Sequence, residues 1–261
     1  MIDIATETLV LLAAVAFVAG VIDSIAGGGG MLTIPALLLA GVPPVEALGT
    51  NKLQGLFGSG SATLAYASKG HIDLKSQYPS AFVAFAGSVV GAVIATILPG
   101  DLLRIVLPFF LIAIALYFAL KPNLDDIDRA RRIGPFAMGF VVVPLIGFYD
   151  GLFGPGTGSF LMLAFVALAG YGVLKATAHT KLLNFGSNVG GFLAFWVAGA
   201  VIWKVGLAMG VAQFLGARLG AAIAMRVGSR IIKPLLVVTS CLLAIRLLAD
   251  ETNPIRVWLA G

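Results

Sequence analysis

GVIDSIAGGGGMLTIPALLLAGVPPVEALGTNK (residues 20–52) and GFYDGLFGPGTGSFLMLAFVALAGYGVLKATAHTK (residues 147–181) follow one plan. Each opens on a glycine and an aspartate, passes a glycine-rich break, runs through a short apolar stretch and ends on a lysine behind polar neighbours. The breaks are Gly27-Gly28-Gly29-Gly30 and Gly154-Pro155-Gly156-Thr157-Gly158. The apolar stretches after them, 30–41 and 156–170, are short for a helical membrane span, which needs about 20 residues.

The surroundings of both stretches are apolar. Of 261 residues 59% are hydrophobic and 11% charged, and the mean hydropathy is +1.03. A soluble domain of this size carries far more surface charge, so the chain reads as an all-α polytopic membrane protein. Ten segments follow: 8–26, 30–41, 47–67, 77–98 and 103–120, then 133–152, 156–170, 177–198, 206–225 and 232–249. The first opens behind Asp3 and Glu7, not behind the positive charge of a signal peptide, and reads as a retained span. The lone Cys241 rules out an intrachain disulfide and a multi-cysteine metal site.

The polar stretch 121–132 divides a first repeat (1–120) from a second (133–261). A shift of 129 residues gives 17 identities in 80 gap-free pairs from Ala40 and Ala169 onward, Lys52-Leu53 meeting Lys181-Leu182. A shift of 127 pairs Gly20, Asp23, Gly27 and Gly29 with Gly147, Asp150, Gly154 and Gly156. Both point to an internal duplication. Five crossings per repeat make the copies inverted, 5+5; re-entrant short segments would instead leave four crossings and parallel copies. With the N-terminus outside, ten threaded spans place Lys69, Lys75, Lys121, Arg129, Arg131, Arg132, Lys175, Arg226, Arg230 and Lys233 inside, against Arg104, Lys204 and Arg256 outside. The positive-inside rule favours that arrangement, with both termini outside. It also accounts for the net charge of +5 without nucleic acid. Glycines at four-residue spacing, Gly87/Gly91 and Gly216/Gly220, allow close helix packing within the chain or in a homodimer.

Ionisable groups inside spans need a reason. The matched lysines Lys52 and Lys181 either snorkel to the interface or face a cavity and neutralise an anion. The second reading gains from the breaks, because a helix that starts inside the membrane offers free N–H groups and a positive dipole end. Candidate substrate contacts are therefore Lys52, Lys181, Gly28, Gly29, Gly30, Thr33, Gly156, Thr157 and Gly158. Asn51, Gln54, Thr180, Asn184 and Asn188 would complete the polar lining, and Arg218, in GARLGA, would add a second cation. Asp23 and Asp150 are either partners for their breaks or proton-coupling groups. The HExxH, GxSxG and Walker A patterns are absent, so neither an enzyme nor a cofactor or metal site is expected.

The two opening stretches resemble the paired motifs of the TauE/SafE family, bacterial membrane proteins also described as sulfite exporters or toluene-sulfonate uptake permeases. The resemblance covers nearly the whole chain. It implies a transporter in the cytoplasmic membrane that moves sulfite, a sulfonate such as sulfoacetate, or a related organic anion. Four glycines in the first break and Thr33 behind it mark where this first pocket differs from relatives with bulkier residues. The expectation is a secondary transporter whose partners are a small anion, the bilayer and protons. An anion channel and an accessory subunit without transport are the alternatives.

Overall fold

The computed structural model describes residues 4–98 and 126–228, with isolated positions 116, 230, 231, 234 and 238. The segments expected at 103–120 and 232–249 lie outside the described residues apart from those positions. Among the described residues the chain forms α1 (Thr6–Ala26), α2 (Gly30–Leu39), α3 (Pro44–Ala67), α4 (Leu74–Ile97), α5 (Pro135–Leu152), α6 (Thr157–Ala167), α7 (Val173–Val197) and α8 (Trp203–Val227). Helices α3, α4, α7 and α8 begin three or four residues before their apolar segments. Their first turns carry capping and polar residues that hydropathy trims: Pro44 opens α3, and Asp73 caps α4 by accepting the Lys75 N–H at 3.1 Å. A π turn at Met138–Val142 stands just before Pro144 in α5. The missing proline N–H leaves the helical ladder open there.

Helices α1, α4, α5 and α8 are long and apolar enough to cross a membrane. They expose large apolar side chains, among them Val10, Leu11, Phe82, Val90, Phe140, Leu145, Val211 and Leu215. Such a surface suits lipid rather than water. Helices α3 and α7 are as long but more polar, and they lie at the centre, crossing where Gly55 meets Asn188.

Contacts fix the helix directions. Along α3, Gly49, Lys52, Gly55 and Gly60 meet Ala200, Gly191, Asn188 and Phe185 in turn, so α3 and α7 run antiparallel. Gly87 and Gly91 of α4 abut the carbonyls of Pro144 and Phe148 in α5; Gly216 and Gly220 of α8 abut those of Phe17 and Val21 in α1. These pairs obey the two sequence shifts, 129 for the glycines and 127 for the carbonyls. The four-residue glycine pairs therefore serve packing within the chain, each half's fourth helix lying on the other half's first.

The turn after α2 returns to the end where the chain starts, since Ile4 and Leu12 pack with Leu37, Val42 and Ala47. At the opposite end the linker 129–132 docks on the α6–α7 turn: Arg129 and Arg132 N–H groups donate to Gly170 and Leu168 at 2.7 and 2.9 Å. Asp128 accepts from Gly172 N–H at 2.7 Å and pairs with Lys175 at 2.5 Å. The Gly172 hydrogen bond, then Lys175, hold its carboxyl below the usual value of 3.8. That contribution is present above pH ~4 and fades as the pH falls through the lowered value.

A valine at Gly91 would drive a side chain into the Phe148 carbonyl. We expect Gly91→Val to destabilise the detergent-solubilised protein by ~3 kcal/mol. Gly134→Ala, in open space, should stay within about 0.5 kcal/mol, both read by thermal unfolding.

Candidate functional site

Both glycine-rich breaks reach the middle of the helix bundle. α1 stops at Gly27 and α2 starts at Gly30, α5 stops near Phe153 and α6 starts at Thr157. Gly27 (φ 78°) and Gly156 (φ 84°) lie in the left-handed region that only glycine enters cheaply. The breaks also touch: a Cβ on Gly27 would overlap the backbone of Gly158, and Ser159 Oγ donates to Ala26 O at 3.2 Å. No side chain larger than hydrogen fits between them.

Beside this contact four buried charges form two ion pairs, each joining one half to the other. Lys52 Nζ of α3 lies 2.8 Å from Asp150 Oδ2 of α5. Lys181 Nζ of α7 lies 3.6 Å from Asp23 Oδ2 of α1 and donates to the Asp23 carbonyl. The lysine side chains are 1% and 0% exposed, which excludes snorkelling. The aspartates also hold their own breaks. Asp23 Oδ1 accepts the Gly29 N–H at 3.0 Å, and Asp150 Oδ1 accepts the Thr157 hydroxyl at 2.6 Å. Two tyrosines brace the same turns: Tyr66 OH donates to Ser24 O at 2.9 Å, and Tyr149 OH to Pro155 O at 2.6 Å.

A polar cavity of about 20 Å³ sits between the helix starts. Its lining includes Asp23, Gly28, Gly29, Gly30, Asn51, Asp150, Gly156, Thr157, Gly158, Asn184 and Asn188. Sequence reasoning named all of these. Lys52, Lys181, Gln54 and Thr33 stand one layer back. Thr33 Oγ1 and Gln54 Nε2 both donate to Asn51 Oδ1, at 2.7 and 2.8 Å, and so fix its carboxamide. Asn188 donates to Asn184 O at 2.8 Å. Thr180 is buried, with its hydroxyl unpartnered.

Two corrections follow. Arg218 is exposed on the outer face of α8 and does not join the site. The polar residue of α8 that does is Gln213, five positions earlier and about 140° round the helix. Its side chain is buried, lines the cavity and has an unpartnered Oε1. A lone glutamine in an apolar run is the signal the sequence offers for it. Gly55 and Gly154, neither among the candidate substrate contacts, also line the cavity.

The cavity volume decides what fits. One water needs roughly 10–15 Å³ measured this way, so the site has room for a water or two and not for a polyatomic anion beside intact ion pairs. An anion reaches the lysines only by rearranging the site.

A family model described as Sulfite exporter TauE/SafE matches residues 12–247. The chain belongs to the TauE/SafE family. Among its relatives, a probable membrane transporter protein, ORF9, of a Sinorhizobium species is 66% identical over 99% of both chains. The probable membrane transporter protein YfcA of Escherichia coli K12 is 47% identical over 91% of this chain and 88% of its own. A probable membrane transporter protein of Haemophilus influenzae is 43% identical over 95% and 98%. No solved structure gives a significant match. This TauE/SafE protein is thus a multi-pass membrane transporter, and its relatives bear transporter names, not enzyme names.

Removing one member of a buried pair strands the other charge. Lys52→Met should cost about 3–5 kcal/mol, and Lys52→Met/Asp150→Asn should recover most of that loss. Unfolding temperatures of the two variants beside the parent protein check it.

Proposed function

We propose that this protein is a secondary transporter that carries a small anion, such as sulfite or a sulfonate like sulfoacetate, across the cytoplasmic membrane. The observation that carries the reading is the burial of two lysines, Lys52 and Lys181, next to a polar cavity framed by two helix starts. Desolvated ammonium groups and positive helix ends together suit a desolvated anion. Asn51, Asn184, Asn188, Thr157 and Gln213 supply hydrogen bonds, and the glycines at 28–30, 156 and 158 let it approach the backbone.

The two halves act as inverted repeats. Support comes from the antiparallel course of α3 and α7, the reciprocal glycine contacts and the exchanged ion pairs. Transport then alternates between two arrangements of the halves about their contact at Gly27 and Gly158. The end bearing Lys69, Lys75, Arg129, Arg131, Arg132, Lys175, Arg226 and Arg230 faces the cytoplasm, which leaves the N-terminus outside.

Anions that bind only the folded protein raise its unfolding temperature, by ~2.7 kcal/mol of stabilisation at about 100 times Kd. A panel of sulfite, sulfate, sulfoacetate, taurine, thiosulfate, acetate and lactate should therefore show a concentration-dependent shift for at least one sulfur oxyanion. The increment should vanish in Lys52→Ala. No shift with any anion would reject the reading.

A further inference from the structure

Among the described residues, the buried charges at the centre are Lys52, Lys181, Asp23 and Asp150, two of each sign. The site is neutral as it stands. His179, the other buried titratable group of α7, turns away to Phe165 and Tyr171 at the basic end. The other charged residues of α1, α4 and α8, namely Glu7, Lys75, Lys204, Arg218 and Arg226, are all exposed. Groups facing Asp23 are Lys181 from α7 and the Tyr66 ring from α3. Those facing Asp150 are Lys52 from α3 and Thr157 from α6, with neighbouring Tyr149 on its own helix. α4 contributes only neutral Ser88 beside Lys52, and α8 only neutral Gln213.

An anion entering this site has two ways to be accommodated. It can add net negative charge to a buried, nearly dry volume, or it can take an aspartate's place at a lysine. The first costs several kcal/mol per charge, and the cavity of about 20 Å³ has no room for it. The second frees a carboxylate that keeps one hydrogen-bond donor, Gly29 N–H or Thr157 Oγ1, but loses its cation. A carboxylate without its counter-ion in such a medium is neutralised by a proton.

We propose that each lysine exchanges its aspartate for the substrate's anionic group while the released aspartate takes a proton from the aqueous side, so that the protein carries one proton per negative charge of substrate, up to two. The lysine stays an ammonium throughout, Asp–COO⁻ becomes Asp–COOH, and the net charge of the site stays zero when loaded and when empty. Both states are then able to cross between the two arrangements without moving buried net charge. A loaded carrier without the protons would be anionic and would stall. This mechanism rests on the anion-site reading above and adds to it the coupling ion, its number and the residues that hold it.

Calorimetric titration of the detergent-purified full-length protein, in two buffers of different ionisation enthalpy at one pH, counts the protons taken up with each anion. Methanesulfonate as a monoanion and sulfoacetate as a dianion are the probes. About one and about two protons are expected, with affinity falling about tenfold and about a hundredfold per pH unit above neutrality. Asp23→Asn and Asp150→Asn should each remove about one proton from the sulfoacetate count. Binding of either probe without proton uptake, or with equal counts for both, overturns the coupling and leaves the anion site standing. Absence of binding by both probes overturns the coupling, and the anion site falls with it where the anion panel above also gives no shift. The wild-type counts decide the matter even where a variant folds poorly.

Discussion

Lys52 to Asp150 and Lys181 to Asp23 are the contacts on which the rest of the molecule turns. Among the described residues each half brings one buried cation and one buried anion, and neither half neutralises its own. Lysine and aspartate within a half sit on different helices, α3 and α1 or α7 and α5, and each finds its counter-charge across the interface. A half folded alone in lipid would hold two unpaired charges, each costing several kcal/mol. Docking the halves removes both penalties together. That requirement fixes the order of packing: α3 and α7 cross at the centre, and the first helix of each half leans on the fourth of the other.

The glycines make this geometry reachable. Charges can pair across the interface only if the backbones of the two breaks come into contact, and Gly27 against Gly158 permits it. The same breaks turn two helix starts towards the cavity, so the devices that let the halves meet also shape the polar site. Thr157 and the Gly29 N–H tie the aspartates to these starts. A change in either ion pair therefore bears directly on the helix start beside it.

The central polar layer makes α3 and α7 less apolar than the four outer helices. Asn51, Lys52, Gln54, Asn184 and Asn188 lower their hydropathy, yet these helices never meet lipid over that stretch, because α1, α4, α5 and α8 surround them. Hydropathy measures the cost of facing lipid and says nothing of helices that neighbours shield. The exposed apolar belt belongs to the outer helices.

The sequence by itself determined the membrane class, the positions of the helices among the described residues and the duplicated motif, because hydropathy, glycine breaks and matched spacing are local properties. It also named most of the cavity lining, since intramembrane polar residues are costly and therefore conspicuous. Which lysine meets which aspartate was not legible: residues 98 and 158 positions apart are brought together by the crossing of the halves, and no local pattern encodes that pairing. Tertiary structure alone separated Gln213 from Arg218. Both are polar interruptions of one apolar helix, and only the face each presents to α1 and α3 or to the outside decides between a place in the site and a place on the surface.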